Sequence, residues 1–181
     1  MSEPAKITNS DPIDKREQIR SQLEATRFEF NSLLDQLTIE DLNRPSLNPA
    51  WTIGELLYHM SFAPRNLPSD VWLIRHLNWV PKIPAGTFNK LNTYLTRRGG
   101  RNATKKMLAE SYDEAHQRTL KALESIRDDE WEKGVKYPDW DPMLSGYVTL
   151  ERLFQYISLH FESHARDIKG ALQSKDVPGE K

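Results

Sequence analysis

Apolar residues recur at helical spacing in four long stretches of the chain. In the first, Ile19, Leu23, Phe30, Leu34 and Leu37 share a face that Leu33 widens, and Thr26 and Arg27 stand where one more apolar residue would fit. Pro12 after Asp11 predicts its start, and Asn43, Pro45, Asn48 and Pro49 predict the loop beyond its end. The second begins at Thr52, with Glu55 three residues later as a capping box, and buries Ile53, Leu56, Leu57 and Met60 with His59 at the edge. Pro64 and Pro68 predict a break soon after. A third helix is expected from Ala103 to about Arg127, with Asn102 as cap and Leu108, Ala115, Leu120, Leu123 and Ile126 as its stripe. The fourth starts near Thr149, carries Leu153, Tyr156, Ile157, His160, Phe161, His164 and Ile168, and is capped by Gly170.

The connections differ in character. A short aromatic helix is expected over Ser69–Val80. Residues 81–102, with Pro81, Pro84, Gly86, Gly99 and Gly100, read as a long connection holding a short helix around Asn89–Thr96. The aromatic content of Asp128–Gly146 predicts a loop packed over the body. No strand-like alternation is long enough to build a sheet, and no internal repeat is present. The expected fold is all-α: an up-and-down four-helix bundle with short additional helices in its connections. The domain organisation follows: a flexible tail over 1–11, one helical domain over 12–172 and a second tail over 173–181.

Charge narrows the partners. With 25 Lys plus Arg against 26 Asp plus Glu, the net charge of −1 gives no general pull toward nucleic acid or an anionic membrane. There is no apolar signal segment and no run of about 18 residues able to span a bilayer, so a cytoplasmic protein is expected. The absence of cysteine excludes thiolate ligands and a cysteine nucleophile.

The chemistry concentrates in the histidines. His160 and His164, four apart on one helix, lie on one face with Cβ atoms roughly 5–6 Å apart, which suits two ligands on one ion. If the second helix packs beside the fourth, His59 joins them, and three ligands with an open position is the arrangement of a catalytic metal site. Imidazoles suit zinc, nickel, copper or iron. Glu55, one turn before His59, is the candidate catalytic group, able to orient that ring or take a proton; its capping box explains it without a metal and is the favoured reading. Asp167 could support His164, or be a surface residue. Arg27 could hold an anionic substrate or pack its stem at the helix edge. His76 and His116 have no partner at ligand spacing. Arg97, Arg98 and Arg101 could grip a carboxylate or phosphate, or be a solvated loop. Trp72, Trp79, Trp131 and Trp140 could wall a pocket, though most should anchor core and loops.

The stretch Trp51-Thr-Ile-Gly-Glu-Leu-Leu-Tyr-His59, together with His160-x-x-x-His164 and the ending His164-Ala-Arg-Asp-Ile168, resembles the DinB-like superfamily of metal-binding four-helix bundles. The resemblance covers most of the chain, from the first helix to Ile168. It implies a site in which His59, His160 and His164 hold a divalent ion, zinc or nickel first and iron as a further candidate, with water completing the shell. Relatives include S-transferases that use low-molecular-weight thiols such as bacillithiol or mycothiol, and the mycothiol-dependent maleylpyruvate isomerase. The implied function is activation of a thiol cosubstrate or water against a small electrophilic substrate, by S-transfer or hydrolysis. A non-catalytic metal or small-ligand binding bundle with a stress-related role is the alternative, and a purely structural bundle a third. Relatives are often dimers, so a homodimer is expected, with neither nucleic acid nor membrane as partner.

Overall fold

The computed structural model describes residues 14–77 and 79–174. Helix α1 (Lys15–Gln36) begins after Asp14, whose carboxylate accepts from the Arg16 N–H. The expected Asp11–Pro12 start, the first tail and residues 175–181 of the second lie outside the described residues, while Gln173, expected in that second tail, still belongs to the last helix. A single turn, α2 (Ile39–Leu42), leads into the loop before α3 (Ile53–Met60). The capping box is formed: the Thr52 hydroxyl accepts from the Glu55 N–H at 3.2 Å, and the Glu55 carboxylate from the Thr52 N–H at 2.9 Å.

The prolines do not end the second helix as expected. The backbone passes through Ser61 (φ −75°, ψ −11°) straight into α4 (Phe62–His76), which absorbs the first part of the separate helix expected over Ser69–Val80. Pro64 sits in the first turn of α4, where a missing N–H costs little. Pro68 is interior and removes the donor that would bond to the Pro64 carbonyl. The buried Thr119 hydroxyl donates to that carbonyl instead, at 2.8 Å. The connecting helix α5 (Ala85–Gly100) is also longer than its polar, glycine-containing sequence predicts. Helix α6 (Lys105–Glu124) is capped by Thr104 and not by Asn102, which has a left-handed φ of 57°. Helix α7 (Leu150–Gln173) starts at its Thr149 cap as expected but runs through Gly170. That glycine serves close approach: a Cβ there would stand 2.7 Å from the Leu47 side chain.

The four-helix bundle is present, but it is not up-and-down. Each of α1 and α3–α4 packs against both α6 and α7, so α1 stands diagonally from α3–α4, and α6 diagonally from α7. Arg20 pairs with Glu124 and Arg27 with Asp113, which makes α1 antiparallel to α6. Lys15 bonds Glu151 and Thr26 bonds Ser158, which makes α1 parallel to α7. The contacts Ser61–Ser111, Pro64–Thr119 and Arg75–Ser125 set α4 parallel to α6. A chain leaving α4 must therefore travel back along the bundle to begin α6, and α5, packed on α3, is that return.

The connection between α6 and α7 adds an element that no alternation announces. After a 3₁₀ turn (Asp128–Glu130), β1 (Gly134–Tyr137) pairs antiparallel with β2 (Gly146–Thr149), from Gly134 opposite Thr149 to Tyr137 opposite Gly146. The buried Val135, Tyr137 and Val148 hold this ribbon on the bundle, and residues 138–145 project over its side.

Two apolar clusters fill the interior. One gathers Ile19, Leu23, Leu67, Leu123, Leu153 and Phe154; the other gathers Phe30, Leu34, Leu57, Tyr112, Phe161 and Ile168. Where they part, each long helix contributes buried polar groups: Thr26, His59 and Ser61, His116, and His160. The gap at Thr26 in the first stripe belongs to this layer, its hydroxyl lying 2.8 Å from that of Ser158.

Candidate metal centre

His59 lies in the last turn of α3, and His160 and His164 lie one turn apart on α7. Because α3 and α7 run antiparallel and in contact, all three rings meet in the polar layer. One nitrogen from each histidine can be chosen so that all lie within 4.8 Å of one another. The Nε2 atoms of His59 and His160 are 3.3 Å apart. Two nitrogens bound to one zinc at about 2.0–2.1 Å in tetrahedral geometry would stand about 3.3–3.4 Å apart.

The surroundings keep the rings neutral. Burial, and then His164, lower the His59 pKa to about 3. Burial, and then the two other histidines, push His160 far below its ordinary value. Burial lowers His164 as well, against the upward pull of Asp167, whose carboxylate is 3.6 Å from Nδ1. Neutral imidazoles keep a lone pair for a ligand bond. Trp51 lies against His59 at a centroid distance of 4.5 Å and meets His164 edge-on. The Thr96 hydroxyl, fully buried on α5, is 3.3 Å from His59 Nδ1. By accepting from Nδ1–H it would fix the tautomer that leaves Nε2 free toward His160. His160 Nδ1 and His164 Nδ1 are buried without a hydrogen-bond partner. Converging neutral rings, two of them with Nε2 atoms at the spacing of ligands on one ion, fit a metal ion.

A cavity of about 300 Å³ opens from His59 and His160 between α4, α5, α7 and the 138–145 segment. Asp70, Tyr137, Trp140, Asp141 and Tyr156 line it. Burial raises the Asp70 pKa to about 6, against the stabilising neighbour Tyr137. Tyr156 donates to Asp141 Oδ2 at 2.6 Å, and burial followed by Asp141 pushes its phenol upward. Trp140 stacks on Phe88 at 4.5 Å, and its indole N–H donates to the Ile83 carbonyl.

The other expected residues fall elsewhere. Glu55 is engaged in its cap and faces a separate groove with Lys90, Arg97, Arg98 and Arg101; it does not line the histidine cavity. Arg27 pairs with Asp113 at 2.7 Å on the α1–α6 edge, away from the bundle interior. Arg97 donates twice to the Ala50 carbonyl and helps seat α5, whereas Arg98 donates to the Tyr94 hydroxyl one turn away on α5 itself. His76 is exposed beside Trp72, whereas His116 is buried with Nε2 3.2 Å from Glu24. Trp131 is core, Trp72 and Trp79 are about half exposed, and Trp140 alone of these four walls the cavity. Thr96, Asp70, Tyr137 and Asp141 were not foreseen. Only Tyr156, one turn before His160, carried a positional signal.

The sequence profile of the DinB superfamily matches residues 22–168, which include all three histidines. The chain belongs to the DinB superfamily. YfiT from Bacillus subtilis, described as a probable metal-dependent hydrolase with an unusual four-helix bundle topology, superposes with a TM-score of 0.69 at 15% identity, covering 96% of this chain and 95% of YfiT. The mycothiol-dependent maleylpyruvate isomerase superposes with a TM-score of 0.66 at 16% identity, covering 84% of this chain. This chain spans about 60% of that isomerase's length. No curated protein matches the sequence. Among the described residues, no helix is long and apolar enough to cross a membrane. The likeness to YfiT agrees with the four-helix bundle described above.

Proposed function

We propose that this DinB-superfamily chain is a metal-dependent enzyme acting on a small electrophilic substrate, with His59, His160 and His164 holding a zinc, nickel or iron ion. The observation that carries this is the convergence of three imidazoles, two buried and that of His164 half-buried, one nitrogen of each within 4.8 Å of the others, with His59 and His160 lining a cavity. A divalent ion held there would lower the pKa of a bound thiol or water toward neutrality and so supply the nucleophile that a cysteine-free chain lacks. The protein's own groups do the rest. Thr96 orients His59, and Trp51 and Phe62 pack beside its ring and keep water from that side. Thiol transfer is the favoured reaction, in keeping with the thiol dependence in the isomerase's description; hydrolysis is the alternative, in keeping with YfiT's.

Elemental analysis of untagged protein, beside a His160→Ala/His164→Ala variant, tests the reading. About one equivalent of zinc, nickel or iron in the parent and none in the variant is expected. Thiol-transfer and ester-hydrolysis screens with that metal would then separate the two reactions. A parent that neither contains nor takes up metal would overturn the proposal.

A further inference from the structure

The cavity beside the histidines is acidic. Asp70 on α4 and Asp141 in the 138–145 segment both line it, and among the described residues around it there is no lysine or arginine. Two basic groups of the neighbouring helices are committed elsewhere. The Arg65 guanidinium donates to the hydroxyls of Tyr58 and Ser111, and that of Arg152 to the carbonyls of Met143, Ser145 and Tyr147. Asp141 receives the Tyr156 hydroxyl, and Tyr137 stands beside Asp70, but neither phenol brings a counter-charge. Asp70 and Asp141 are half-buried, and a carboxylate withdrawn from water without a cation is costly, so a ligand that supplies the cation recovers that cost on binding. An anionic ligand would meet two carboxylates and only the metal ion in its favour.

From this we propose that the cavity takes a small substrate bearing a protonated amine, held by its ammonium group against Asp70 and Asp141, with an apolar body against Leu153, Ile157 and Trp140. This names the substrate class of the site proposed above and rests on that reading only in treating the cavity as its substrate side. The reacting end of such a molecule would face His59 and His160, which line the inner wall. The cavity's volume of about 300 Å³ is at the small end for ligand pockets, so a compact monoamine fits better than a peptide or polyamine.

Three probes that differ only in the head group decide the matter: 2-phenylethylamine, 2-phenylethanol and phenylacetate. Each is titrated calorimetrically into the metal-free and metal-loaded protein, with metal content measured on the same samples. The amine is expected to bind at least about tenfold tighter than the alcohol, as one charge-assisted hydrogen bond provides, and phenylacetate weakest in the metal-free protein. Asp70→Asn, close in shape, should remove that amine preference and leave the alcohol unchanged; Asp141→Asn should weaken it less, because Tyr156 already occupies one carboxylate oxygen. Phenylacetate binding as tightly as the amine, an amine preference that survives Asp70→Asn, or no binding of any probe to natively folded protein would overturn the proposal. Amine selectivity without metal uptake would sink the metalloenzyme reading and leave the amine site standing. Metal uptake without amine selectivity would do the reverse.

Discussion

The Thr96 hydroxyl lies 3.3 Å from Nδ1 of His59, joining a connecting helix to a residue of the bundle's polar layer. Two glycines make the contact possible. A Cβ at Gly99 would overlap the Tyr58 ring, and one at Gly100 would stand 2.6 Å from the Glu55 Cα, so α5 can lie on α3 at this distance only without side chains there. Thr96→Val keeps the shape and removes the hydroxyl. It should weaken metal binding by about 10–100-fold, the usual effect of losing the partner of a ligating histidine. Chelator competition measures this directly, and affinity equal to the parent's would reduce Thr96 to a packing residue.

Metal should also stabilise the fold, because the three nitrogens come together only in the native state. At a free metal concentration of 100 times the dissociation constant, the gain is about 2.7 kcal/mol, worth roughly 5–11 °C in Tm for a domain of this size. Thermal melts with zinc or nickel, and then with excess chelator, should show that rise and its reversal. The His160→Ala/His164→Ala variant should show neither.

Much of this was written in local pattern. Helical spacing exposes the four long helices, the Thr52–Glu55 capping box is readable as a motif, and the spacing of His160 and His164 announces a shared face. What escaped depends on partners distant in sequence. Pro68 is tolerated because Thr119, on another helix, meets the freed carbonyl. Helices α4 and α6 lie side by side and parallel because α5 carries the chain back between them, and an amphipathic stripe records that a helix has a buried face without saying which neighbour covers it. The ribbon of Gly134–Tyr137 with Gly146–Thr149 has strands of four residues, too short for alternation to register. Asp70, Tyr137 and Asp141 come from three elements with no common period. Conversely, Glu55 looked catalytic because it sits one turn from His59, yet at that position on α3 its carboxylate turns back to the Thr52 N–H.

Acid should unpick the loop before α3. Asp41 is held at about 2 because the Thr38 N–H and hydroxyl donate to its carboxylate, with Arg44 assisting against the opposing effect of burial. The unfolded chain takes up this proton first, near pH 4, so the stabilisation is complete above that pH and drains away as the pH falls toward 2. Asp41→Asn should therefore cost about 1 kcal/mol at pH 7, as loss of a cap interaction does, and progressively less by pH 2. Urea melts of parent and variant at both pH values read the difference; a gap independent of pH would assign the effect to packing.

Thr119 and Pro68 should be energetically coupled although they lie on different helices. With Pro68 in place, the Pro64 carbonyl has no donor along its own helix and depends on the Thr119 hydroxyl at 2.8 Å. Thr119→Val then leaves a buried acceptor unpaired and should cost about 1–3 kcal/mol. Pro68→Ala returns an N–H at the position that bonds back four residues, so the same carbonyl regains a partner within α4. In that background Thr119→Val should cost distinctly less, leaving a coupling of at least about 0.5 kcal/mol in the double-mutant cycle. Additive costs would mean that water or a shifted backbone already serves the Pro64 carbonyl, and that α4 accommodates its proline without help from α6.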